Sequence, residues 1–139
     1  TSSSIMVKKT PRGELVGSID SGIQGSVNIL CLQYCPKSAF LFAVVAHFST
    51  KQKYVMGWDL CNFDKLGYKT GAPVIKIDMQ QSSAVFAMHV VVDETTQMPT
   101  QVLCGTKDGQ IHIYDLQAKA KTRFVLAHEN GSVNHVLVL

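Results

Sequence analysis

Ten short runs rich in β-branched, aromatic and aliphatic residues follow one another along the chain, each cut off by Gly, Pro, Asp, Asn or Ser. They fall at 5–9, 14–19, 27–34, 40–47, 54–60, 74–79, 84–92, 101–105, 110–116 and 122–127, and a further run begins at Val133. Segments of this length and composition, bounded by turn formers, read as strands. No stretch holds apolar residues at three- and four-residue spacing for a dozen positions with capping residues at its ends, so a helix has nowhere to form. "CPKS" and "KDGQ" supply turn chemistry, Pro fixing φ in the first and Gly109 allowing positive φ in the second. The expected fold class is all-β.

The chain of 139 residues is long enough to bury a core, and 46% hydrophobic with 17% charged residues excludes a disordered chain. No run approaches the roughly 18 apolar residues of a membrane helix. Cys31, Cys35, Cys61 and Cys104 are too few for a small secreted disulfide scaffold, which points to a reducing, cytoplasmic compartment. The net charge of +3 is mild, and its lysines and arginines scatter instead of forming the stripe that tracks a phosphate backbone; DNA is not an expected partner. The chain opens on "TSSS" with neither an initiating Met nor a signal peptide, so the expectation is a segment cut from a longer protein.

Internal repetition sharpens this reading. "GIQGSVNILCLQY" near the start, "QSSAVFAMHVVV" in the middle and "LAHENGSVNHVLVL" at the end each place a small polar residue before an alternating strand. Ser26, Ser83 and Ser132 mark periods of 57 and 49 residues, somewhat above the roughly 40–45 of a four-stranded propeller blade. A second marker, an aromatic residue followed by Asp-Leu, closes a strand at Trp58-Asp59-Leu60 and again at Tyr114-Asp115-Leu116. Each period holds four strands, and the excess length falls in "CNFDKLGYKTGA" and "DETTQMPT".

The order "GSVNILCLQYCPKSAFLFAVVA…YVMGWDL" followed by "VLCGTKDGQIHIYDL…RFVLAHENGSVNHVLVL" resembles the WD40-repeat family of β-propellers over nearly the whole chain. The resemblance implies a WD40-like β-propeller fragment of two full four-stranded blades plus parts of two neighbours. Residues 1–20 would be the end of one blade, 21–80 and 81–127 the full blades, and 128–139 the start of the next. It also implies a buried hydrogen-bond chain of His, Ser/Thr, Asp and Trp in each blade, since buried polar groups need mutual satisfaction. By motif position Thr106, Asp108 and Tyr114 are members for one blade, with Tyr where the family has Trp. Trp58 is the member for the blade before, and His128 the member for the blade after. Asp59 and Asp115 complete the aromatic-Asp endings. No blade holds all four residues. A narrower resemblance, of "VMGWDL…VIKIDMQQSSAVFAMHVVVD…VLCGTKDG", is to the C-terminal propellers of class III phosphatidylinositol 3-kinase regulatory subunits. It would imply a part in a lipid-kinase complex of endosomal trafficking or autophagy, reaching the membrane only through partners.

Other chemistries find less support. Cys31 and Cys35 stand four apart, which places them on one face of a strand about 13 Å from each other, too far to share a metal. Cys104, His47, His89 and His112 complete no ligand pair, so buried structural thiols are expected and no metal or cofactor is. The nucleophile elbow, phosphate loop and zinc-protease motifs are all missing from the sequence. Asp93 and Glu94 read as a solvated loop, and no catalytic activity or small-molecule substrate is expected. Lys51, Lys53, Lys119, Lys121 and Arg123 lack interleaved aromatic residues, which leaves an RNA-binding propeller as a lesser alternative.

The expected function is therefore non-catalytic: a protein–protein interaction scaffold. Loops on a rigid frame carry binding, and by family analogy Lys107, Gln24, Asn28, Glu129, Asn130 and Asn134 are the partner-binding candidates.

Overall fold

A computed structural model describes residues 26–61, 73–79, 84–118 and 131 with their side chains, together with the backbone of strands at 4–9, 14–20 and 120–126. Ten strands follow in chain order: β1 Ser4–Lys9, β2 Glu14–Asp20, β3 Val27–Cys35, β4 Phe40–His47, β5 Lys53–Asp59, β6 Ile75–Asp78, β7 Val85–Val92, β8 Pro99–Thr106, β9 Gln110–Asp115 and β10 Ala120–Leu126. Among the strands whose side chains are described, seven form a four-stranded and a three-stranded antiparallel sheet, and no described residue is helical. The order in the first sheet is β3-β4-β5-β6. In the second it is β7-β8-β9, to which the backbone of β10 adds a fourth strand, while β1 and β2 pair with each other as a separate hairpin. Every pairing joins chain neighbours, so each sheet is a plain meander.

The turns follow from their residues. Pro36 opens the β3–β4 turn, Ser38 Oγ donates to the Cys35 carbonyl at 3.4 Å, and Ala39 closes the turn at φ 59°. Gly109, at φ 84°, closes the tight β8–β9 turn, where a side chain would be strained. Between β7 and β8 the Asp93 carboxylate accepts the N–H groups of Thr95 and Thr96 at 2.8 and 3.0 Å, a turn in which the side chain imitates backbone. Those two bonds hold the Asp93 carboxyl below the usual range.

Alternation along each strand sends side chains to opposite faces. One face of the first sheet carries Leu41, Ala43 and Val45 from β4 with Met56 and Trp58 from β5, all buried. The other carries Phe42, Val44, Val55 and Ile77, which pack against Val85, Val90, Val102, Cys104, Tyr114 and Leu116 of the second sheet. Burying each large aliphatic or aromatic side chain contributes about 1.5–3 kcal/mol, so this seam binds the two sheets. Where β3 and β7 run beside each other, the Val90 N–H donates to Gln33 Oε1 at 3.2 Å.

The two meanders run in the same strand order and close alike at one end. Trp58 pairs with Leu41 and Tyr114 with Val102, which fixes their equivalence. In the first meander the Leu60 N–H donates to the Ala39 carbonyl at 2.8 Å; in the second Leu116 donates to Thr100 at 3.0 Å. At the other end the bonds fall out of step: Lys107 donates to Ala84 at 2.8 Å, whereas Phe48, two residues beyond the register counterpart Ala46, donates to Ser26 at 2.9 Å. The aromatic-Asp endings share a role as well. Asp59 accepts the Cys61 N–H at 2.9 Å, and Asp115 accepts those of Gln117 and Ala118 at 2.9 Å. Tyr114 faces the first sheet, whereas Trp58 faces away from the second. Equivalent faces thus point the same way, and the sheets stack head to tail instead of meeting like face to like.

Candidate functional site

The end of the sheets that holds the β4–β5 and β8–β9 hairpins gathers most of the described polar candidates. In the β8–β9 hairpin Thr106 is fully buried; its hydroxyl donates to Asp108 Oδ1 and accepts the Gln110 N–H at 3.2 Å. The bond joins two of the residues picked out by motif position. Tyr114 is also fully buried, yet its hydroxyl meets no hydrogen-bond partner among the described residues, and the same holds for Trp58 Nε1. Burial pushes the Tyr114 phenol well above its usual range, and the charges that Cys104 and Asp78 can carry add to the effect. Register separates the two hairpins at this point. Val44 pairs with Val55 as Gly105 pairs with Ile111, so the next residue, Val45, stands where the second meander has Thr106. An isopropyl group there offers no oxygen.

The β4–β5 hairpin is built differently. His47 Nδ1 accepts the backbone N–H groups of Ser49 and Thr50, both at 3.3 Å, so that nitrogen is the unprotonated one. The Lys51 N–H donates to the His47 carbonyl at 3.0 Å, and Lys51 itself takes the left-handed conformation at φ 62°. Lys53 follows as the first residue of β5. It is 7% exposed, and its ammonium donates to the Lys51 carbonyl at 3.3 Å. Burial, then the neighbouring Lys51 charge, lowers the Lys53 pKa below the usual lysine range.

These lysines line a cavity of about 480 Å³ with Asn28, Leu30, Ala46, Ala84, Val85 and Phe86. It lies where β3, the β4–β5 hairpin and the start of β7 converge. Asn28 pairs with Ala46 across β3 and β4 and is half-buried. Lys107 is exposed, and its N–H is bonded to Ala84, a residue of the cavity wall. Asn28 therefore lines the cavity and Lys107 adjoins its wall through that backbone bond, whereas Gln24, His128, Glu129, Asn130 and Asn134 lie outside the described residues. The sequence pattern showed Lys51 and Lys53 only as loop charges. No sequence signal set them apart, because Lys51 lies in the turn at φ 62° and only Lys53 belongs to a strand.

Cys31 and Cys35 both face the seam, Cys104 lies opposite, and burial raises the pKa of all three thiols. Among the described residues no three His, Cys, Asp or Glu side chains gather as a metal site. The sequence matches no family model, and no curated protein is significantly similar to it.

Proposed function

We propose that this chain is a segment of a WD40-like β-propeller and serves as a non-catalytic scaffold for protein–protein interaction. The observation that carries the reading is the head-to-tail stack of two four-stranded meanders in the same strand order, with matching bonds from Leu60 to Ala39 and from Leu116 to Thr100. A sandwich of two sheets closes after two layers. A head-to-tail stack leaves, at each end, a face like the one already packed, and radial repetition closes such a series. On the outer face of the second sheet Ala87 is buried, with Leu103 and Ile111 half-buried against it, as the side toward a further blade would be. The aromatic-Asp endings and the Thr106–Asp108 bond agree with the WD40 pattern.

The binding end is the one that carries Lys107, Asn28 and the cavity that Asn28 lines. The test replaces Lys107 and Glu129 together with residues of opposite charge and compares proteins retained by the tagged chain. At least one retained protein should be lost while the melting temperature stays unchanged. Identical retention by parent and variant counts against the assignment, and a solved structure in which the two meanders face each other like to like overturns the propeller.

A further inference from the structure

The seam inside this chain joins two unlike faces. Phe42, Val44 and Val55 of the first sheet meet Val90, Val102 and Cys104 of the second. Because the sheets stack head to tail, each turns outward the kind of face that its neighbour turns inward. Strand register identifies the matching positions.

On the outer face of the first sheet, Tyr34 pairs with Leu41 as Val90 pairs with Val102, and Leu32 pairs with Ala43 as Met88 pairs with Cys104. In the seam Val90 is 3% exposed and Met88 half-buried, whereas Tyr34 and Leu32 are 49% and 53% exposed. On the outer face of the second sheet, Leu103 pairs with Ile113 as Phe42 pairs with Gly57, and Ile111 pairs with Gly105 as Val55 pairs with Val44. Phe42 and Val55 are fully buried, whereas Leu103 and Ile111 are only half-buried. Positions that are dry in the seam are therefore open at the two ends of the stack, and they remain apolar there. The polar contact has a counterpart too. Gln33, whose Oε1 accepts the Val90 N–H across the seam, pairs with Phe42 as His89 pairs with Leu103. A ring nitrogen of His89 can accept the equivalent N–H, that of Tyr34, from a following copy.

We propose that the chain associates with a second copy of itself head to tail, Leu32 and Tyr34 of one copy packing on Leu103, Ile111 and His89 of the next. The inference rests on the head-to-tail repeat behind the propeller reading and gives its two outer faces a partner. The two surfaces are different patches, so the contact is heterologous, and copies add in one direction until a ring closes or a filament grows. A foreign protein would have to imitate one of these faces; this chain carries both.

The test is sedimentation velocity on the full chain of 139 residues, in a dilution series up to about 100 μM. The mean mass should rise with concentration. Leu32→Lys on one face and Leu103→Lys on the other should each weaken association about tenfold or more. Mixed in equal amounts, the two variants should recover a pair and stop there, since each retains the face that the other lacks. If Leu103→Lys melts below the parent, His89→Lys takes its place in the mixture. Phe48→Lys, which removes an exposed aromatic side chain of the β4–β5 turn, should change nothing. A chain that stays single throughout the series overturns the proposal, whether its faces are covered by the same chain or await another protein. Association that Leu103→Lys and His89→Lys leave intact marks a contact between like faces and overturns it as well. So does a mixture that recovers nothing although both variants melt as the parent does. If the chain stays single but the Lys107 and Glu129 replacement still releases a partner, this contact fails and the scaffold stands. If copies associate as described but no partner is retained, the contact stands and the scaffold fails.

Discussion

Removing the Tyr114 hydroxyl should stabilise this protein, the reverse of the usual outcome for a buried tyrosine. The side chain is fully buried against Val102, Cys104 and Leu116, and its oxygen meets no partner among the described residues. A buried hydroxyl without a hydrogen bond carries a desolvation cost of about 1–3 kcal/mol. Tyr114→Phe keeps the ring and its contacts, including the stacking on His112 at 6.5 Å between ring centroids. What is lost is the dispersion contact of one oxygen, at about 0.1–0.2 kcal/mol per atom pair. The expected gain is about 1 kcal/mol, read as a melting temperature some 3–5 °C higher for a chain of this size. Urea titrations at several pH values supply a second readout. Burial raises the phenol pKa in the folded chain, so above about pH 10 the unfolded chain loses its proton first. Stability is then level below that pH and falls above it, by up to about 1.4 kcal/mol per unit, in the parent but not through this group in Tyr114→Phe. A variant that is less stable at pH 7, or whose alkaline decline runs parallel to the parent's, refutes the orphaned hydroxyl.

Two further substitutions probe the seam and the cavity. A Cβ on Gly57 would stand 2.7 Å from Phe42 Cε1 and 3.4 Å from Ile75 Cβ. Phe42 is fully buried and stacked on Phe40, so Gly57→Ala should cost about 1–3 kcal/mol in urea unfolding; Gly57→Ala with Phe42→Leu should recover part of the loss, and independent losses would deny the contact. Lys51→Asn should raise the Lys53 pKa toward the ordinary lysine value, because one of its two depressing causes is removed. Carbon-13 NMR of reductively methylated protein reads that shift, and an unmoved titration assigns the depression to burial alone. The sign for stability follows from the same shift. A depressed lysine costs stability at neutral pH, and the cost fades as pH rises through the folded value toward the unfolded one.

The strands were legible because their signal is local. The run at 40–47 became β4 Phe40–His47 with the same limits, since Pro36 and Ser38 before it and Ser49 after it break the alternation as turns require. Gly109 stood where positive φ is needed. Lys53 shows where local reading stops. A lysine beside a loop reads as solvated, but here it opens β5 with its stem packed and its ammonium on a carbonyl, an arrangement that long amphipathic side chains allow. Register was hidden for the same reason. Eight residues separate Thr106 from Tyr114, whereas thirteen separate Val45 from Trp58, because the first hairpin carries a longer turn built on His47. Spacing along the chain therefore could not align Val45 with Thr106, although pairing across the sheet does. By that alignment the Thr106–Asp108 bond of the second meander has no counterpart in the first, where a valine stands in the threonine's place. What the two meanders share is the strand order and one apolar seam between them, and it is the seam that stacks the sheets.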